Sequence, residues 1–356
     1  MNYRSYVYKI LLHHTNENSR LYESIEIIFK SSTIPQKDKN LIIYTVQGVI
    51  RRLSSIDSIL DQLIKKYSKA IPLNVKIILR IGVYQINHME SPNYATINEL
   101  VQLTKKKNNR FYKLVNAVLR RSITFKSKLD DSKISNKAKL FNHPEWLYKK
   151  WTNDYNTLFA QNIADWNNTI PEVWFRINSN LYSTIEFEEE LKKSNISFIR
   201  YLYNSIYYKT SNPSILINNE IFKDGMITVQ NPFSGFICNL LNPKSDELVI
   251  DACAAPGGKT AYISELMKNK GKIFAFDINQ KRIILLKKTL ERMKINNVIH
   301  EVKDVASQKL PKADKILLDV PCTGTGVLNK YPDIKWKKSF SDIKEMVNIQ
   351  ENILSD

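Results

Sequence analysis

The C-terminal third of the chain alternates apolar runs with helical segments, and this alternation restricts the fold more than any other feature. It predicts strands at 247–251, 272–277, 298–303 and 315–320, and helices at 259–269, 280–294 and 341–354. Repeated strand–helix–strand units with short connections form mostly parallel, doubly wound sheets, because each crossover helix packs back onto the sheet. Ligands of such sheets bind at the carboxyl ends of the strands.

Three further regions precede this α/β domain. Residues 1–125 carry apolar side chains at spacings of three and four, which predicts an all-helical domain. Residues 126–141 are rich in Lys and Ser and are predicted to form a linker. Residues 142–242 combine an aromatic-rich helix with strand-like runs, which indicates a small mixed α/β module ahead of a Rossmann-like domain at 243–356. The predicted fold class is therefore multidomain, with an all-α domain followed by an α/β domain.

The net charge indicates the class of binding partner, and the cysteine content indicates the cellular compartment. The chain has 53 Lys and Arg against 35 Asp and Glu, a net charge of +18. Its hydrophobic content of 43% argues against a disordered protein. The positive surplus suits a polyanion such as RNA, although a generally Lys-rich composition is the alternative explanation. Cys238, Cys253 and Cys322 form no C-x-x-C pair, which favours a reducing compartment such as the cytoplasm. The scattered histidines indicate no metal site, and no apolar run has the length of a membrane span.

Glycines cluster in a chain that contains only nine of them. Gly257 and Gly258 lie in D-A-C-A-A-P-G-G-K, which joins a predicted strand to a predicted helix. Glycine lets the backbone approach a ligand closely, and the N–H groups at a helix N-terminus suit a ligand carboxylate. A strand-to-helix turn that needs glycine only for its geometry is the alternative.

Two aspartates at the next strand ends extend the predicted cofactor site. Asp277 lies 19 residues after Gly258, close to the spacing of an acidic residue that binds ribose hydroxyls. Asp304 follows the third strand and would accept a hydrogen bond from an adenine amino group; an ordinary N-cap is the alternative. Neither G-x-G-x-x-G nor G-x-x-x-x-G-K-[ST] occurs in the sequence. S-adenosylmethionine therefore fits better than NAD or ATP.

A second chemistry-bearing motif, Asp319-Val-Pro-Cys322, follows the fourth predicted strand. We expect the Asp319 and Cys322 side chains to enter the same crevice as the glycine segment, because both follow carboxyl ends of parallel strands. A free cysteine often packs inertly. The proline before Cys322 and the glycines at 324 and 326 favour a functional thiol.

Together these motifs resemble the Sun-type, or RsmB-type, ribosomal RNA cytosine-5 methyltransferases, and the resemblance extends over nearly the whole chain. It implies catalytic roles for Asp319 and Cys322, 16S ribosomal RNA as the substrate, and no metal or membrane partner. We also expect a monomer. The residues that it implies for binding S-adenosylmethionine are Cys253, Ala254, Ala255, Pro256, Gly257, Gly258, Lys259, Asp277, Arg282, Asp304 and Asp319.

Upstream motifs carry the same resemblance. The first domain is similar to the NusB antitermination factor in Leu79-Arg-Ile-Gly-Val-Tyr84, Ala95-Thr-Ile-Asn-Glu99 and Val115-Asn-Ala-Val-Leu-Arg-Arg121. The family's RNA-binding lead-in is matched by Asn142-His-Pro-Glu-Trp-Leu147 and Arg176-Ile-Asn178. One departure is Asn231, at a position where family members usually carry an acidic residue.

The implied reaction requires a thiolate, because C5 of cytosine is a poor nucleophile until a cysteine adds to C6. The family uses the cysteine of a later T-C-S motif for this addition and the cysteine matched by Cys322 to assist product release. No T-C-S occurs in the 356 residues, so we expect a chain that is shorter than its family at the C-terminus and lacks the main nucleophile. Recruitment of Cys322, as in DNA cytosine-5 methyltransferases, is one alternative. A non-catalytic RNA-binding protein and a transfer RNA methyltransferase are two others.

Candidate RNA contacts lie mainly outside the predicted parallel sheet. Basic residues near the end of the helical domain are expected to contact phosphates, with a solvated helix end as the alternative for each: Lys105, Lys106, Lys107, Arg110, Arg120 and Arg121. Three tryptophans are candidates for stacking on bases, with core packing as the alternative for each: Trp146, Trp151 and Trp174.

Overall fold

A computed structural model describes four ranges of the chain: residues 2–64, 71–125, 134–210 and 213–355. Part of the predicted linker at 126–141 lies outside these ranges, and its described part includes a helix, Ile134–Leu140. None of the helices in the four ranges is both long enough and apolar enough to cross a membrane. The chain divides into two compact units.

The first unit, Met1–Pro171 with Thr323–Asp342, is helical. Four of the residues whose spacing predicts the helical domain, Val46, Ile78, Leu100 and Val118, are fully buried in one apolar cluster. The prediction of an all-α N-terminal domain is confirmed. The helices within residues 1–171 are α1 (Tyr3–Asn16), α2 (Leu21–Lys30), α3 (Gln36–Arg51), α4 (Leu53–Leu63), α5 (Leu73–His88), α6 (Asn93–Asn108), α7 (Tyr112–Ser122), α8 (Ile134–Leu140), α9 (Glu145–Asp154) and α10 (Thr157–Asn167).

A buried arginine joins three helices of this unit. Arg4 on α1 donates to Gln85 Oε1 on α5 at 2.8 Å, to Thr96 Oγ1 on α6 at 3.1 Å, and to the Glu99 carboxylate on α6. A buried guanidinium is tolerated only when hydrogen bonds and an opposite charge replace its water. The motif from Ala95 to Glu99 therefore has a structural function here, because it supplies two of the partners of Arg4.

The second unit, Glu172–Cys322 with Ile343–Asp356, begins with a small antiparallel sheet. Its strand order is β2-β3-β1-β4, and Phe175, Ile177 and Tyr208 are buried in its core. The strand-like run predicted at 197–203 contains only a two-residue strand. The elements are β1 (Trp174–Ile177), α11 (Thr184–Lys193), β2 (Ile199–Arg200), β3 (Tyr207–Lys209), α12 (Pro213–Ile217), α13 (Glu220–Lys223), β4 (Ile227–Val229) and α14 (Pro232–Leu241).

A parallel sheet with the order β7-β6-β5-β8 follows, and all three of its strand pairs are parallel. This confirms the predicted α/β fold class. The chain builds outward from β5 in one direction and returns to pair with β5 on its other side, so the strand order switches between β5 and β8. The elements are β5 (Leu248–Asp251), α15 (Gly258–Leu266), β6 (Lys272–Asp277), α16 (Gln280–Arg292), β7 (Val298–Val302) and β8 (Lys315–Leu317). Two helices follow in the chain, α17 (Ile334–Lys337), which belongs to the first unit, and α18 (Phe340–Ser355).

A fully buried ion pair joins the antiparallel sheet to the first helix of the parallel one. Arg176 on β1 and Glu265 on α15 have side chains that are 0% and 1% exposed, and the guanidinium donates to the carboxylate. Arg176 also lies 4.2 Å from the centre of the Tyr262 ring, in cation–π geometry. Each charge has lost its water, so each depends on the other.

We predict that Arg176→Met lowers the free energy of unfolding by about 3–5 kcal/mol, because it leaves the Glu265 carboxylate buried without its cation. Urea unfolding followed by tryptophan fluorescence measures this loss. The matched control is Lys209→Met, which removes the solvent-facing pair with Glu172 and is expected to cost less than about 1 kcal/mol. Equal small losses for the two variants would contradict the importance assigned to the buried pair.

Candidate active site

The glycine segment lies at the carboxyl end of β5, next to the point where the strand order switches. The Ala254 N–H donates to the Phe276 carbonyl on β6, and the Gly257 N–H donates to the Ala254 carbonyl, both at 2.8 Å. Gly257 has a φ of +98°, and a Cβ there would stand 2.7 Å from Leu286 Cδ1. The positive φ and the short distance to Leu286 both disfavour a side chain at position 257, which explains the glycine. Helix α15 begins at the next residue, Gly258.

A glutamine outside the predicted site holds the start of α15. Gln230 Nε2 donates to the Gly258 carbonyl at 2.9 Å, while its Oε1 accepts from Arg176 Nε at 2.6 Å and from the Tyr207 hydroxyl at 2.8 Å. The glycine segment is thereby connected to the buried ion pair. Nothing in the glycine motif indicates this support, because Gln230 precedes Gly258 by 28 residues.

Asn231, the departure from the family pattern, retains a local function. Its Oδ1 accepts from the Phe233 N–H at 2.9 Å and so caps the N-terminus of α14. Asparagine and aspartate cap helices about equally well. The change from an acidic residue thus preserves the start of this helix.

Asp251 lies under the glycine segment and is 1% exposed. Its Oδ2 accepts from the Thr260 hydroxyl on α15 at 2.7 Å. Burial, with a smaller contribution from the nearby Asp319 carboxylate, raises the pKa of Asp251 to about 6 against the opposing effects of the Thr260 hydrogen bond and Lys259. The carboxyl thus ties the strand end to the first turn of the helix.

Asp277 ends β6 and is 3% exposed. Its Oδ1 accepts from the Asn279 N–H at 3.0 Å, and its Oδ2 lies 3.1 Å from Arg282 Nη1. Arg282 also donates to the Ala255 carbonyl, so it lies between the aspartate and the glycine segment. Among the described residues, no group donates a hydrogen bond to Asp277 Oδ2. A buried carboxylate oxygen of this kind has capacity for hydroxyl donors of a ligand.

Both carboxylate oxygens of Asp304 accept hydrogen bonds from residues of the turn that it begins. Its two carboxylate oxygens accept from the Ala306 N–H at 3.2 Å and from the Ser307 hydroxyl at 2.9 Å. It follows the last residue of β7 by two positions, so the topology places it at the carboxyl edge of the sheet. Its predicted contact with adenine stays a prediction.

Lys259 and Asp319 connect the two sequence motifs. The Lys259 ammonium, one residue into α15, donates to the Asp319 carboxylate, two residues after β8. The structure thus brings the end of the glycine segment and the start of D-V-P-C together, as their strand ends predict. Cys322, three residues further on, is exposed.

Two of the three cysteines have raised pKa values, and the third is exposed. Burial, with added repulsion from Asp251, Asp277 and Asp319, raises the pKa of Cys253 to about 11. Burial also raises the pKa of Cys238 to about 12. Both thiols therefore stay protonated at neutral pH, and Cys322 is the exposed cysteine. In the described part of the chain, no three His, Cys, Asp or Glu side chains form a cluster of the kind that holds a metal.

The structure changes the set of candidate RNA contacts. Trp151 is 8% exposed and packs against His143, so the prediction that it stacks on RNA bases is wrong. Arg176 and Asn178, in the matched lead-in motif, are 0% and 1% exposed. Burial shows that all three form part of the protein core. All six basic candidates are exposed and stay predictions: Lys105, Lys106, Lys107, Arg110, Arg120 and Arg121.

Three sequence families match successive parts of the chain. The NusB family matches residues 1–124, and a ferredoxin-like domain of RsmF/B-like methyltransferases matches residues 143–205. The family described as 16S rRNA methyltransferase RsmB/F matches residues 238–356. The matched ranges follow the order of the helical domain, the small antiparallel sheet and the parallel sheet.

Whole-chain comparisons agree with these matches. The chain is 31% identical to the ribosomal RNA small subunit methyltransferase B of Vibrio vulnificus, over 90% of this chain and 76% of that one. The crystal structure of PH0851 has the same fold, with a TM-score of 0.80 and 24% identity over 100% of this chain and 82% of that one. A structure of NSun6 from Pyrococcus horikoshii with SFG covers 60% of this chain and 78% of its own, with a TM-score of 0.55 and 21% identity.

The raised pKa of Asp251 predicts that stability falls as the pH rises. The native state holds the Asp251 proton up to about pH 6, whereas the unfolded chain releases it near pH 4, so between these values the native state binds more protons. Asp251→Asn removes this dependence. The stability of the variant relative to the wild type should therefore increase by about 2–3 kcal/mol between roughly pH 4 and pH 7.

Urea unfolding across this pH range measures the difference. Asp246→Asn, at an exposed position nearby in the sequence, serves as the control and should follow the wild type at each pH. A stability difference between Asp251→Asn and the wild type that stays constant with pH would show that Asp251 titrates normally.

Proposed function

Because the chain belongs to the family of ribosomal RNA small subunit methyltransferase B, we propose that its site is built to methylate C5 of a cytosine in 16S ribosomal RNA. The observation that carries this proposal is the buried Asp277 carboxylate, whose Oδ2 receives no hydrogen bond from the described residues, beside a glycine segment and a D-V-P-C motif at one edge of the sheet. The protein would act as a monomer in the cytoplasm.

The methyl donor is S-adenosylmethionine, which supplies an electrophilic methyl group on a sulfonium. The residues present fit this cofactor. Asp277 Oδ2 would accept from the ribose hydroxyls, and Arg282 would orient that carboxylate. The glycine segment would bring backbone N–H groups at the start of α15 to the ligand carboxylate. Asp304 would accept from the adenine amino group.

Cytosine would bind on the Cys322 side of this pocket. A carboxylate is a good acceptor for the N4 amino group of cytosine. Asp319, which forms an ion pair with Lys259, would accept from this group. A thiolate bonded to C6 makes C5 nucleophilic, and later loss of the C5 proton and of the thiolate restores the aromatic ring. Cys322, as the exposed thiol, would assist this release.

The cysteine that adds to C6 is a separate requirement. The 356 residues contain no T-C-S, and the high pKa values of Cys238 and Cys253 make them poor candidates. Addition to C6 by this chain alone would have to use Cys322. The proposed reaction therefore separates into a cofactor site that these residues complete and an addition step that they do not supply by motif.

We predict that Asp277→Asn weakens S-adenosylmethionine binding about 10–100-fold, because the charge-assisted bonds to the ribose become neutral ones. Isothermal titration measures the affinity. Asp246→Asn is the surface control and should bind like the wild type, and a thermal melt of each variant reports folding. Unchanged affinity in a folded Asp277→Asn protein would remove this residue from the site.

The second prediction concerns C5. With 16S ribosomal RNA carrying tritium at cytosine C5, we expect any methyl transfer by these 356 residues to release tritium, because the C5 proton must leave to restore the aromatic ring. Release that disappears in Cys322→Ala would assign the addition to Cys322. Methylation of the RNA without loss of C5 tritium would overturn the cytosine-5 proposal, and failure to bind the cofactor would favour a non-catalytic RNA-binding protein.

A further inference from the structure

The segment that follows Cys322 belongs to the helical unit. Thr323–Asp342, which we name the anchored segment, groups with Met1–Pro171 rather than with the parallel sheet that precedes it in the chain. Leu328 within it is fully buried, in a cluster with Leu147, Tyr148 and Trp151 of α9. The chain therefore passes directly from the D-V-P-C motif into a packed part of the N-terminal domain.

Polar contacts of the anchored segment go to helix ends. Lys335 is 0% exposed and its ammonium donates to the Arg51 carbonyl at 3.1 Å and to Asn168 Oδ1 at 3.4 Å. Trp336 Nε1 donates to the Ile50 carbonyl at 2.8 Å. Ile50 and Arg51 are the last two residues of α3, whose carbonyls have no partner within their own helix.

Other contacts complete the same pattern. The carboxylate of Asp333 accepts from the N–H of Leu21, the first residue of α2, at 3.1 Å. Lys337 donates to the carbonyl of Asn18, just after α1, at 2.7 Å. In return, Arg51 Nη2 donates to the Asn329 carbonyl at 2.8 Å. An anion at a helix N-terminus and cations at C-terminal ends also match the helix dipoles.

These contacts are costly to remove. Burial, with repulsion from Arg51 and Arg52, lowers the pKa of Lys335 well below its usual value, so the buried amine depends on the oxygens to which it donates. Detaching the segment would remove the side-chain donors of the Ile50 and Arg51 carbonyls and would expose Leu328. The segment and the helical domain are thus expected to order together.

Cys322 is the residue immediately before this segment. We propose that the anchored segment is the positioning element of the Cys322 loop, because its packing restricts the chain that immediately follows the thiol. Lys335 and Trp336 are then positioning residues, which act on the loop through the chain that joins them. This inference rests on the proposed role of Cys322 for its catalytic meaning, but the ordering itself is measured without catalysis.

The test compares the 356-residue wild type with Lys335→Met by peptide-resolved hydrogen exchange. We expect exchange to become about tenfold faster both in 331–338, where the bonds are lost, and in 319–324, which contains Cys322. S-adenosylmethionine affinity should stay within about twofold, because no contact of the cofactor pocket changes. Lys330→Met, an exposed lysine of the same segment, is the control and should exchange like the wild type.

Faster exchange confined to 331–338 would overturn the proposal, because Lys335 would then have only a local structural function. If Lys335→Met does not fold, Trp336→Phe removes the N–H donor to Ile50 and part of the ring area while keeping an aromatic ring, and the same two peptides decide the result. Absence of cofactor binding in the wild type would count against the proposed methyltransferase function alone, since the exchange measurement does not depend on it.

Discussion

The buried contact between Arg176 and Glu265 is the interaction on which the second unit depends. It fixes β1 against α15, and through Gln230 the same arginine supports the carbonyl of Gly258, where the cofactor loop becomes a helix. Replacing water around two charges requires close geometry. The end of the loop is thus positioned by β1, a strand that lies far earlier in the sequence.

Much of the fold was predictable because burial leaves a periodic record in the sequence. Leu248–Asp251 and Lys272–Asp277 are apolar on both faces, as strands covered by helices must be, and their predicted bounds differ from the observed ones by at most one residue. The last strand was predicted to reach residue 320 but ends at Leu317. Apolar character continues through Leu318 and Val320, whereas strand pairing stops at the register of β5, which sequence alone does not give.

The candidate site was predictable where its residues are adjacent in the sequence or follow strand ends. The glycine segment, Asp277 and the meeting of Lys259 with Asp319 follow from topology. The partner of Arg176 could not be predicted, because a charged residue in a strand gives no sign of a partner 89 residues away. The contacts of Lys335 and Trp336, which span 284 and 286 residues, lie still further beyond what local pattern can indicate.

The same long-range contacts have a consequence for biosynthesis. A ribosome makes the chain from its N-terminus, and domains generally begin to fold in that order. The carbonyls that end α3 receive their side-chain donors only after residues 335 and 336 have been added. Until then these carbonyls must accept hydrogen bonds from water. The domain that is synthesised first is therefore among the last to gain all of its hydrogen bonds. In nascent chains halted before residue 335, the carbonyls at the end of α3 would lack these two side-chain donors.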